Sequence, residues 1–193
     1  MKIFISRSLV LLFTFTFSVS NAFFRVSCKE PGLTTERIDP IINPGTLSSH
    51  VHTIHGGNTF SMNQTFQDTI NVTCSTCNVI QDKSSYWYPT LYLIAPNGSF
   101  IQVPGGGLTI YYLLRGDKYG PIKAIPEGMK MVAGNPTHRT FNPSIGLKYV
   151  CLNFKSGSSS SNGFPKSNCP DGLRVQIHFP MCWDGKNMDS IDH

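Results

Sequence analysis

Three histidines lie close together in Ser49-His50-Val51-His52-Thr53-Ile54-His55-Gly56-Gly57. In an extended chain alternate residues share a face, so His50 and His52 point the same way, and His55 would be reached across a turn at Gly56. Neutral imidazole is a borderline ligand, and a His-x-His pair suits zinc or copper(II). The plain alternative is a loop whose histidines bond carbonyls or solvent. Met129-Lys130-Met131 would set two thioethers on one face of a strand, a copper(I)-type arrangement, although core packing uses methionine equally well. Asp82-Lys83-Ser84-Ser85-Tyr86-Trp87 joins a carboxylate to two aromatics. The rings of Tyr86 and Trp87 offer stacking faces to a sugar, and a nearby carboxylate can accept from its hydroxyls. A strand entry with Asp82 as its turn cap is the structural alternative.

Hydrolysis without metal would need two carboxylates flanking a glycosidic bond. Of the 11 acidic residues, Asp39, Asp82 and Asp184 stand in distinctive settings, and Asp82 and Asp184 are the candidates for acid and base. Each has a structural role open to it: Asp39 as a local partner of Arg37, Asp82 as a cap, Asp184 as a turn residue before Gly185. No nucleophile-elbow pattern occurs. Pro104-Gly105-Gly106-Gly107 lacks the Lys-Ser/Thr of a phosphate loop.

The chain that must position these groups reads as an exported one. Lys2 and Arg7 precede an uncharged run from Leu9 to Val19, and Ser20-Asn21-Ala22 offers small residues for cleavage. Residues 1–22 are therefore expected to be a signal peptide. The run is short for a spanning helix, and nothing later resembles one, so no membrane span is expected after its removal. A mature terminus at Phe23 could not build a copper brace on an N-terminal histidine. All six cysteines, Cys28, Cys74, Cys77, Cys151, Cys169 and Cys182, follow the leader. An even number in an oxidising compartment predicts three disulfides. Cys74-Ser75-Thr76-Cys77 has redox or zinc-knuckle spacing, but no second close pair of ligands accompanies it. Cys151 and Cys169 flank the Ser/Gly run from Ser156 to Gly163, and a bridge between them would close that loop. Asn63-Gln64-Thr65, Asn71-Val72-Thr73 and Asn97-Gly98-Ser99 are glycosylation acceptors, whereas Asn142-Pro143-Ser144 is excluded by its proline.

Charged residues make up 14% of the 193 residues and hydrophobic ones 40%, which excludes wholesale disorder and argues against a long solvated helix. The net charge of +5 is too mild and scattered to suggest a nucleic-acid partner. Strands are predicted over Trp87 to Ile94 and Ser99 to Val103, joined by the hairpin signal Pro96-Asn97-Gly98. Further strands are predicted over Thr109 to Arg115, Lys148 to Phe154 and Leu173 to Phe179, with a short helix near Asn58 to Thr69. The expected fold is mainly β: an antiparallel sandwich or jelly-roll-like domain over residues 23–193, stapled by disulfides.

A set of motifs in order along the chain carries a resemblance. They are Asp39-Pro40-Ile41 with Pro44-Gly45, Ser49-His50-Val51-His52 with Gly56, Cys74-Ser75-Thr76-Cys77, and Asp82-Lys83-Ser84 leading into Tyr86-Trp87 and Pro89-Thr90-Leu91-Tyr92. Tyr111-Tyr112, Met131 with Ala133-Gly134, Arg139 and Phe179-Pro180-Met181-Cys182-Trp183-Asp184-Gly185-Lys186-Asn187 follow. Together they resemble the fungal secreted family catalogued as domain of unknown function nineteen-ninety-six, sometimes joined to carbohydrate-binding cell-wall-sensor modules. The resemblance implies a secreted protein acting at the cell wall or on environmental polysaccharide. It also implies a shortened C-terminus, since members continue past the Trp-Asp-Gly motif. Three functions are consistent with these readings. The first is glycan binding through Tyr86, Trp87, Trp183 and Arg139. The second is a zinc- or copper-dependent polysaccharide-active enzyme using His50, His52 and His55 with Asp82 or Asp184. The third is a disulfide-stapled extracellular structural protein.

Overall fold

In the computed structural model, residues 22–114 and 122–189 are described. The leader up to residue 21, the end of the strand expected at Arg115, and the C-terminal residues from 190 lie outside them. Along the chain run β1 (Ala22–Cys28), β2 (Thr34–Glu36), β3 (His52–Gly56), the helix α1 (Phe66–Ile70), β4 (Ser85–Pro89), β5 (Tyr92–Ile94), β6 (Phe100–Gln102) and β7 (Leu108–Leu114). A 3-10 turn at Pro143–Ile145 precedes β8 (Lys148–Cys151), β9 (Ser159–Ser161) and β10 (Leu173–Gln176). The fold is mainly β, as the alternating segments imply. Its antiparallel sheets are small: β1 with β7, β2-β3-β4, the hairpin β5-β6, and β10-β8-β9.

The departures from the expected elements have local causes. The strand expected over Trp87 to Ile94 is two strands. Beyond Pro89 the Thr90 N–H turns to the Val51 carbonyl (2.9 Å), and its hydroxyl pairs with that of Thr53 (2.8 Å). The chain then re-enters extended structure only at Tyr92, as half of the Asn97-Gly98 hairpin. β8 stops at Cys151 because the Asn153 side chain accepts from Lys155 and Ser156 N–H and starts a turn. The helix is one short turn held by a capping box between Thr65 and Asp68. Met129 and Met131 do not share a strand face: the segment is irregular, with the Lys130 N–H donating to the Met188 carbonyl.

β3 is the centre of the described fold. It pairs with β2 on one edge and β4 on the other, and all five of its residues are buried. Ile54 and Val26 are sealed from solvent. The loop from Cys74 to Asn78 is stitched between the ends of β1 and β3. Thr76 N–H donates to the Gly56 carbonyl, Lys29 N–H to the Thr76 carbonyl and Asn78 N–H to the Ser27 carbonyl. A disulfide joins Cys28 to Cys77 across the same seam. Gly56 is required where β3 leaves this seam: its φ is +105°, and a Cβ there would collide with the Ser84 carbonyl.

A second disulfide, Cys151–Cys169, closes the Ser/Gly loop as expected. The third expected bridge is absent, because Cys77 pairs with Cys28 and leaves Cys74 and Cys182 as exposed thiols. Alkylation of the native protein followed by peptide mass mapping should therefore label Cys74 and Cys182 and recover the other four cysteines as two linked peptides. Replacing Cys28 and Cys77 together by serine should lower unfolding free energy by about 2–5 kcal/mol in denaturant titrations.

Candidate functional site

The approach to β3 is a loop tied at its neck. Arg37 Nε donates to the Ser48 carbonyl (2.6 Å), and the Ser48 N–H donates to the Arg37 carbonyl (3.0 Å). Within it Asp39 is buried and does not serve as the partner expected for Arg37. Its Oδ1 instead accepts from the N–H groups of Ile41 and Ile42 (3.1 and 2.9 Å), capping a turn. The neck delivers His50 and His52 onto one face, as alternation requires, with ring centroids 4.4 Å apart at 62°.

Both rings are oriented through Nδ1. His52 Nδ1 lies 2.9 Å from the Ile38 carbonyl. A carbonyl only accepts, so Nδ1 carries the proton and Nε2 keeps its lone pair. His50 Nδ1 lies 3.0 Å from the Ser49 hydroxyl. Among the described residues nothing hydrogen-bonds to either Nε2. Burial holds the His52 pKa below the usual histidine value, and the neighbouring His50 adds to this; the Ile38 carbonyl and Asp39 oppose it.

His50 also lines a cleft of about 370 Å³, with Val51, Pro89, Thr90, Tyr92 and Phe100. Its position follows from the break in the long aromatic strand. Because the chain folds back after Thr90, the β5-β6 hairpin lies beside the start of β3. Tyr92 and Phe100 meet there edge to face, 6.3 Å apart. Neither Tyr92 nor Phe100 carries a functional signal of its own in the sequence; the hairpin register set by the Asn97-Gly98 turn places both on one face of β5-β6.

His55 does not join the pair. It sits one step out of phase on β3, opposite Tyr86, and its ring stacks on Tyr88 with centroids 5.8 Å apart. It is sealed from solvent, and neither ring nitrogen has a hydrogen bond. Glu30 Oε1 is 3.6 Å from its Nε2, too far for one, and accepts from the Tyr88 hydroxyl (3.1 Å). Burial lowers the His55 pKa, with Glu30 opposing. Burial first and then Glu30 push the Tyr88 hydroxyl up to about 12.

The other expected site residues are dispersed. Register sets Tyr86 opposite His55 and Trp87 opposite Ile54, so these two aromatics face opposite sides of the sheet and cannot stack on one ligand. The Tyr86 hydroxyl donates to Asp82 (2.5 Å) and lies 2.8 Å from that of Tyr112, linking β4 to β7. Burial is the main reason its pKa is raised, and the two hydrogen bonds add to it. Trp87 packs on Phe60. Asp82 also accepts from the Ser84 N–H, as a cap. Asp184 is a turn residue whose carboxylate accepts from the N–H groups of Lys186 and Asn187; these bonds hold its pKa below the usual carboxylate range. Trp183 donates from its indole to the Asn187 carbonyl, within the same turn. Arg139 bonds the Pro136 and His138 carbonyls of its own segment. Asn63, Asn71 and Asn97 are all exposed.

A family model described as a domain of unknown function (DUF1996) matches residues 39–193. The chain belongs to this family. The DUF1996 region holds the histidine pair and every residue of the cleft, whereas Cys28, Glu30 and Ile38 precede it. No curated protein and no solved structure matches the chain.

The buried histidines make folding sensitive to acid. A histidine whose folded pKa is depressed takes up its proton first in the unfolded chain, so stability is present at neutral pH. It should be lost as the pH falls below about 6.5. Urea midpoints measured across that range should fall with acidification, and His55→Phe, which keeps a ring against Tyr88, should flatten the slope.

Proposed function

We propose that this DUF1996 chain is a secreted glycan-binding protein that seats a sugar ring in the cleft beside His50. The observation carrying this reading is the composition of that cleft: apolar Pro89, Tyr92 and Phe100 line it together with the polar residues His50 and Thr90. Aromatic faces pack against the C–H surface of a pyranose, and a few polar groups fix its hydroxyls. The volume of about 370 Å³ lies within the range of small-ligand sites. On the same face of the hairpin as Tyr92 and Phe100, Ile94 is also exposed and extends the apolar surface outward, as suits a polysaccharide lying across it. Trp183 and Arg139, tied into their own turns, have no part in this cleft.

Export is supported by the two disulfides, which need an oxidising compartment. Cleavage after Ala22 would also leave all but the first residue of β1 in place. Asn97 sits exposed at the hairpin turn, where its Oδ1 accepts from the Ser99 hydroxyl (2.7 Å), and is the acceptor best presented for a glycan.

Sedimentation with insoluble wall polysaccharides (β-glucan, chitin and mannan in parallel) checks the binding. Tyr92→Ala and Phe100→Ala should each weaken retention by about 1–3 kcal/mol, the scale of a lost aromatic contact, while Trp183→Ala should bind as the parent does. Retention unchanged in both hairpin variants would reject the cleft. For export, secreted protein should lose mass on enzymatic deglycosylation, and Asn97→Gln should remove part of that loss.

A further inference from the structure

The cleft accounts for one edge of His50 but not for the arrangement of the two imidazoles. We propose that His50 and His52 form a two-histidine site for a divalent transition-metal ion, zinc or copper(II), bound through both Nε2 atoms with its remaining positions open to water or an incoming ligand. The inference stands independently of sugar binding and shares only His50 with it.

Three observations converge. The first is tautomer. The Ile38 carbonyl fixes the His52 proton on Nδ1 and leaves Nε2 as the donor. Such an outer hydrogen bond is the usual companion of a metal-ligating histidine, because it sets ring orientation and raises basicity. Ser49 occupies the matching atom of His50. The second is spacing. With a metal–nitrogen distance of about 2.0 Å, two imidazoles bound cis have ring centroids about 4.4 to 5 Å apart, and these two are 4.4 Å apart. The third is the absence of another use: among the described residues nothing hydrogen-bonds to either Nε2.

Among the described residues no third histidine, cysteine, aspartate or glutamate joins the pair. The site is therefore open and exchangeable rather than a closed structural centre. Asp39 supplies a nearby negative charge, but its Oδ1 is taken up by the turn it caps. Imidazole nitrogen favours zinc and copper(II) over the hard cations calcium and magnesium.

The test uses the secreted chain made without a histidine tag and stripped with chelator. Copper(II) and zinc are titrated separately by calorimetry, and the copper form is examined by electron paramagnetic resonance. One equivalent should bind, with nitrogen hyperfine structure from two imidazoles. His50→Ala should weaken binding by at least about tenfold, a loss no smaller than that of an outer hydrogen-bond partner. His52 is buried, and its alanine variant is at risk of misfolding. His52→Asn keeps a donor toward the Ile38 carbonyl while removing Nε2, and should weaken binding equally with an unchanged circular dichroism spectrum. His138→Ala, on an exposed turn, should have no effect. Failure to bind either metal, or binding that survives both His50→Ala and His52→Asn, overturns the proposal. Because these titrations contain no saccharide, and Tyr92→Ala should retain the metal, either proposal can fail without the other.

Discussion

The structure turns on a strand that is buried on both faces yet made largely of polar residues. His52, Thr53, Ile54, His55 and Gly56 are all buried, so each polar side chain must find a partner inside the protein or bear the cost of its absence. His52 finds the Ile38 carbonyl and Thr53 finds Thr90. His55 finds only the face of Tyr88 and a distant carboxylate. The neighbouring strands and loops are arranged around these needs. The Arg37–Ser48 neck brings Ile38 to His52, the turn after Pro89 brings Thr90 to Thr53, and the segment before β2 brings Glu30 toward His55.

Because β3 alternates, the same five residues serve two environments. Just before the strand, His50 continues the face of His52 into the cleft beside the hairpin, where groups remain available to a ligand. The face of His55 closes onto Tyr88, Glu30 and, through Tyr86, the Asp82–Tyr112 link to the first sheet. One face is chemically available and the other is structural. The aromatics divide in the same way, with Tyr86 and Tyr88 locked into the closed side and Tyr92 and Phe100 left for the open one.

Much of the local structure was legible in the residues. The Asn97-Gly98 hairpin, the loop closed by Cys151 and Cys169, a short helix near Asn58 to Thr69 and the shared face of His50 and His52 all follow from turn chemistry and alternation. Capping roles for Asp82 and Asp184 follow from the preference of aspartate for turns. What escaped the sequence was long-range. No pattern near Cys77 indicates that it pairs with Cys28 and leaves Cys74 aside, because that choice is made by the docking of the loop between β1 and β3. Alternation was available to part Tyr86 from Trp87, and the parting shows once β4 is seen as the strand holding both. The cleft depends on a hairpin folding back beside a strand some forty residues earlier in the chain, which no local periodicity encodes.

The neck formed by Arg37 and Ser48 has an evolutionary corollary. Both ends of the loop are clamped by backbone and guanidinium hydrogen bonds, while the stretch it encloses carries Leu47 and Ile42 out in solvent. Exchanges at those two exposed side chains can therefore accumulate without shifting the imidazoles that follow, whereas Asp39, which caps the turn, and Gly45, whose N–H is tied to the Met62 carbonyl at a φ of +71°, hold the loop's path. The loop can thus change its surface chemistry at positions 42 and 47 while the strand beneath keeps its register.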